Sequence, residues 1–187
     1  MATLRMVVRR FGILIAVALL VIALAVIEAV ANHPSMAAEP GAPWAGHILA
    51  MDRALAKGNG NGAARELRSA YTTALASRRW EGMLAHGDAA VRMGDKSGVR
   101  RSWIEQARQS YLVALFRARS DGSLDGVLRV AEAFHRLGDR DVVVLALRIA
   151  DGLASTPGDP ATKRARVSET AARLAETSVA QNSQSMP

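Results

Sequence analysis

Trp80-Glu81-Gly82-Met83-Leu84, running on to Gly94-Asp95, reads against Leu124-Asp125-Gly126-Val127-Leu128, running on to Gly138-Asp139. Each stretch opens on a large apolar residue, places an acid and then a glycine in its first turn, and reaches a Gly-Asp break fourteen residues later. A third break, Lys57-Gly58-Asn59, lies upstream, and every break falls between two alanine-rich stretches of helical period. Recurrence of one such unit at a period of tens of residues means stacked helical hairpins, because a single hairpin cannot bury its apolar face alone. The glycines of the three breaks lie 36 and then 44 residues apart, so the second unit carries an extended helix.

Working outward, the apolar residues Trp44, Ile48, Met51 and Leu55 precede the first break at helical spacing, and Leu67, Ala70, Tyr71, Ala74 and Leu75 follow it. The second hairpin pairs Trp80–Met93 with a helix from about Ser97 to Arg119, whose buried stripe is expected at Val99, Trp103, Ala107, Tyr111, Ala114 and Leu115. The third pairs Leu124–Leu137 with Asp141–Ala154; Val142-Val143-Val144 suits a strand in isolation, but Ala146, Leu147, Ala150 and Leu153 at helical intervals decide for a helix. Asp159-Pro160 then signals a last helix, with a side-chain acceptor at the cap and proline in the first turn, running to about Ser178. Its narrow apolar stripe, Ala161, Val167, Ala171 and Leu174, suits a capping helix with one dry and one wet face.

The amino-terminal segment is of another kind. Phe11 to Ile27 are seventeen residues without charge or proline, behind Arg5, Arg9 and Arg10. That is a membrane-insertion signal, with the arginines held on the cytoplasmic side. A cleaved signal has an apolar stretch of roughly 7 to 15 residues and a spanning helix about 17 to 25, which favours a retained anchor. Ala29-Val30-Ala31 and Ser35-Met36-Ala37 are small-x-small sites at which export with cleavage is the other outcome. The expected organisation is a signal anchor or signal peptide over 1–31, a Pro/Ala linker over 32–43, a helical repeat domain over 44–178 and a disordered tail over 179–187.

Composition narrows the function classes. The chain of 187 residues has no cysteine, which excludes disulfides, thiolate zinc sites and cysteine nucleophiles. Half of it is apolar and only 4% aromatic, which suits close-packed helices. The net charge of +7 is unevenly spread: residues 63–119 hold eleven Arg or Lys against five Asp or Glu, and residues 120–159 four against seven. Phosphate recognition needs a continuous positive track, so the dipolar distribution argues against nucleic acid.

The hairpins resemble the tetratricopeptide repeat. In the first helices Gly87 and Ala131 stand at the family's small position, with Ala90 and Phe134 one turn later. In the second helices Ala63, Val99 and Val143 stand where alanine is preferred, Leu67, Trp103 and Leu147 at the bulky position, and Ala70 and Ala150 at the later alanine; Gln106 departs from the pattern, with Ala107 one place late. The resemblance implies an α-solenoid of about three tetratricopeptide-like hairpins with a C-terminal capping helix; with the N-terminal membrane-insertion helix read from residues 1–31, the expected chain is all-α. It implies that outward residues of the first helices line a groove for a peptide or helix. Those residues agree between the two best-matched units, Glu81 with Asp125, Leu84 with Leu128, Asp88 with Glu132 and Arg92 with Arg136. A second candidate surface is basic: Arg78, Arg79, Arg100, Arg101, Arg108, Arg117 and Arg119.

No constellation rises to catalysis. His33, His47, His86 and His135 are dispersed, Glu132, His135 and Asp139 alone prompt a metal question, and Gly58-Asn59-Gly60-Asn61-Gly62 lacks the Lys-Ser or Lys-Thr of a phosphate loop. Gly82 and Gly126 read as close-contact sites. The expectation is a non-catalytic scaffold or adaptor of the bacterial envelope, without cofactor, metal, nucleic acid or small-molecule substrate, single-pass in the inner membrane with its domain in the periplasm, or soluble there after cleavage. The alternative is a small structural subunit of a membrane complex.

Overall fold

The computed structural model describes residues 41–156 and 158–184, with side chains to Thr177. The expected insertion helix and nearly all of the linker lie outside the described residues. Within them the chain is all-α: seven helices and no strand, α1 Ala45–Ala56, α2 Gly60–Ala76, α3 Trp80–Ser97, α4 Arg100–Ser120, α5 Leu124–Leu137, α6 Arg140–Ala154 and α7 Pro160–Gln184. Among the described residues no helix is long and apolar enough to cross a membrane.

Each helix packs on the next in the chain, and the odd-numbered helices also touch in succession, α1 on α3, α3 on α5 and α5 on α7. The chain reverses at left-handed residues. Gly58, Gly98 and Gly138 turn it within hairpins, with φ of 70°, 70° and 79°, and Arg78 and Gly122 turn it between them, with φ of 57° and 65°. Caps fix the starts: Asn59 Oδ1 accepts from Gly62 N–H at 2.8 Å, Ser123 Oγ from Gly126 N–H at 3.1 Å and Asp159 Oδ1 from Thr162 N–H at 3.3 Å. Hydrogen bonds from Thr162, its side chain first and its backbone N–H second, hold the exposed Asp159 carboxyl below the usual carboxylate range. The expected cap at Asp159-Pro160 is therefore in place, and α7 continues past Ser178 to Gln184.

Three expectations are corrected. Met93-Gly94-Asp95 is no break: α3 runs through it, and the reversal is at Gly98. Gly94 is buried, and a Cβ there would stand 3.2 Å from Trp103 Cβ, so its smallness serves helix approach. The stripe of α4 also starts later than expected. Val99 precedes the helix and is 61% exposed, whereas Ala107, Tyr111, Ala114 and Ala118 are buried. They stand in register with Ala63, Leu67, Ala70 and Ala74 of α2 and with Val143, Leu147, Ala150 and Ala154 of α6. Trp44, which caps α1, and Trp80, Leu124 and Pro160, which open α3, α5 and α7, are thus 36, 44 and 36 residues apart, and the extra eight residues extend the far end of the α3–α4 hairpin. Tyr71 and Leu75, expected in the stripe of α2, lie 37% and 42% exposed beside it.

Candidate partner-binding surface

The site begins with glycine. A Cβ on Gly82 would stand 2.9 Å from Trp44 Cε3 and 3.1 Å from Ala74 Cβ; one on Gly126 would stand 2.8 Å from both Trp80 Cε2 and Ala118 Cβ. The same triad occurs twice. The large residue that opens one odd-numbered helix lies on the glycine of the next, and the alanine near the end of the intervening even-numbered helix closes the side. Arg79 stacks over the Trp44 ring at 5.9 Å. Burying a ring of about 200 Å² contributes on the order of 5 kcal/mol before entropy, so these triads, rather than surface charge, set the order and register of the helices.

A ladder of ion pairs runs beside them. Arg92 forks onto Asp52 with two bonds of 3.1 Å, Arg136 reaches Asp88 at 3.0 Å, and Arg173 pairs with Glu132. Each acid lies eight residues after the opening residue of its own helix, and each arginine belongs to the next odd-numbered helix. The side chains are 22–59% exposed, so each pair is worth about 0–1 kcal/mol. Asp88 is the most enclosed, because Tyr111 Oη also donates to it at 2.7 Å. Burial, reinforced by the Asp88 charge, pushes the Tyr111 phenol far above its ordinary range, so it stays a donor.

The ladder relocates the expected groove residues. Asp88, Arg92, Glu132 and Arg136 do share one surface, but as pairs that bridge neighbouring helices. Asp125 takes Arg166 of α7 at 3.1 Å and Arg129 of its own helix at 2.9 Å, and Glu81 takes Arg79 at 3.0 Å. Leu84 and Leu128, expected to face outward, are 2% and 5% exposed and belong to the core. The reason is enclosure: α3 has α1, α2, α4 and α5 around it, and every residue from Gly82 to Gly87 is buried.

The basic residues do not act as one patch. Arg117 donates to the carbonyls of Ala74, Leu75 and Arg79 at 3.1–3.2 Å, capping the end of α2 and bracing the left-handed turn at Arg78. Arg108 pairs with Asp139 at 2.5 Å, Arg100 with Asp95 at 3.4 Å, and Arg79 with Glu81. Arg78, Arg101 and Arg119 are exposed. Sequence spacing carries no signal for the Arg117 clamp, whose acceptors lie about forty residues away.

The remaining polar groups also find separate partners. Glu132, His135 and Asp139 turn to Arg173, Thr177 and Arg108, and among the described residues no three metal-ligating side chains converge. His86 is fully buried, with Nδ1 2.8 Å from Ser110 Oγ and its ring edge-on to Tyr71 at 5.1 Å. Burial lowers its pKa to about 4, so it is neutral at pH 7. Ser110 donates to Gln106 O at 3.0 Å, which leaves its lone pair for an Nδ1–H tautomer. A cleft of about 340 Å³ between α5, α6 and α7 is lined by His135, Val143, Val144, Leu147, Leu174 and Ala175 among others. Comparison of the chain with protein-family models, with curated proteins and with solved structures finds no match.

Proposed function

We infer that this chain is a non-catalytic scaffold or adaptor. Its hairpins form a short tetratricopeptide-like solenoid capped by α7, residues 1–31 carry it to the bacterial inner membrane as an anchor or export signal, and the helical domain in the periplasm holds a peptide or helix of an envelope protein complex. What supports the reading is the ladder Asp52–Arg92, Asp88–Arg136 and Glu132–Arg173, which repeats at each of the three junctions between successive odd-numbered helices and lines one surface with half-exposed charge. A surface built by repetition gives evenly spaced polar anchors to an extended or helical ligand, which is how such arrays recognise protein.

The test is copurification after gentle solubilisation from the native membrane. The wild-type chain is expected to bring down partner protein, and the pair Arg92→Glu with Arg136→Glu to lose it while keeping helical circular dichroism. Absence of any copurifying protein would overturn the reading. Leu84 and Leu128 are unsuitable for this test, since a charge at either would unfold the core.

A further inference from the structure

Gly46 stands two residues after Trp44, as Gly82 stands after Trp80 and Gly126 after Leu124. Gly82 and Gly126 are each covered by an aromatic ring and an alanine from the preceding hairpin. Gly46 is not: no described atom lies within 4 Å of where its Cβ would stand. Along the same line of α1, Leu49 is 51% exposed, Arg53 is exposed in the third turn, and Lys57 is exposed at the C-cap. Lys57 lies thirteen residues after Trp44, as Arg173 lies thirteen after Pro160; Arg92 and Arg136 lie twelve after Trp80 and Leu124. The first helix thus carries the receiving half of the junction that the molecule makes between its own helices, with a glycine notch, an apolar step and a basic end.

Resting on the adaptor reading above, we propose that this face of α1 docks a helix of a partner protein that bears an aromatic residue followed eight positions later by a carboxylate. The internal junctions define that chemistry. Trp44 with Asp52, and Trp80 with Asp88, are the pairs that engage Gly82 with Arg92, and Gly126 with Arg136. The incoming ring covers Gly46 and Leu49, and the incoming carboxylate meets Lys57 or Arg53. The docked helix extends the established stack by one member, so the interface continues the geometry already present between α1 and α3. A second copy of this chain does not fit, because its Trp44 is 1% exposed and committed to its own Gly82.

The probe is a fluorescein-labelled peptide with the chain's own Trp44–Lys57 sequence, stapled on its outer face so that it is helical in water, titrated against the full chain in detergent. Saturable binding is expected, with Gly46→Leu in the full chain and, separately, replacement of the tryptophan by alanine in the peptide each weakening it about tenfold or more. Gly46→Leu fills open space, so the melting temperature of the full chain should not fall. No binding of the helical peptide, or binding unchanged by both Gly46→Leu and Leu49→Glu, overturns the proposal. If either result comes while native partners still copurify with Gly46→Leu, this inference falls and the adaptor reading stands.

Discussion

Gly82 and Gly46 each follow a tryptophan by two residues and lie in the first turn of their helix, yet their environments are opposite. Gly82→Ala should cost about 1–3 kcal/mol, because its methyl group would meet the Trp44 ring at 2.9 Å, whereas Gly46→Ala should not lower the melting temperature. Thermal unfolding of the two variants side by side checks this, and equal effects would contradict the triad. Gly87 shows a paired compensation: its missing side chain is occupied by the Tyr111 ring, as Ala131 is matched in register by the smaller Leu147. His86 makes a pH prediction. Its folded pKa of about 4 lies below its ordinary 6.5, so the unfolded chain binds a proton that the folded chain refuses across that window. The stability that His86 contributes is complete above pH 6.5 and is lost as pH falls towards 4, by up to about 1.4 kcal/mol per pH unit. Urea unfolding between pH 7 and 5 should show this slope in the wild type and a shallower one in His86→Asn; parallel slopes would remove His86 from the account.

At the scale of the element, the junction between α2 and α3 depends on one side chain from α4. Arg117 satisfies three carbonyls at the end of α2 and the following turn, and its planar fork fits that task in a way a point charge does not. Arg117→Ala is expected to destabilise by about 1–3 kcal/mol, and Arg117→Lys to recover less than half of that, measured by denaturant unfolding. Full recovery with lysine would show that charge alone suffices. Much of the element level was legible in the sequence. Leu124–Leu137 was bounded correctly by its pattern, Asp159-Pro160 marked the start of α7, and Gly82 and Gly126 read as close contacts because a glycine in a first helical turn has no local reason to be there. The end of α3 was not legible, since Gly94 can signal either a left-handed turn or a close approach, and only Trp103 decides between them. The stripe of α4 slipped for a related reason: Val99 and Trp103 continue the same helical period as Ala107 and Tyr111, and periodicity does not say where along it the partner helix begins.

For the whole molecule, the candidate site was half visible. The agreement of Glu81 with Asp125, Asp88 with Glu132 and Arg92 with Arg136 is legible from repetition, and the last two of these pairs share a surface. Their pairing across neighbouring helices is not, because an acid and an arginine four apart on one helix invite a local pair, whereas stacking brings each within reach of a partner about forty residues away. Burial of Leu84 and Leu128 was hidden for the same reason, since a helix enclosed by four others has no outward apolar face to identify. The account as a whole rests on successive stacking of the odd-numbered helices in one register. Because the chain has no cysteine, cysteine pairs can be placed at will. The most direct test is cross-linking by a short bismaleimide in chains carrying Asp52→Cys with Arg92→Cys, Asp88→Cys with Arg136→Cys, or Glu132→Cys with Arg173→Cys, against the mismatched Asp52→Cys with Arg136→Cys. The account predicts rapid intramolecular cross-linking in the three matched chains and none in the mismatched one; equal cross-linking in all four, or none in the matched chains, would contradict it.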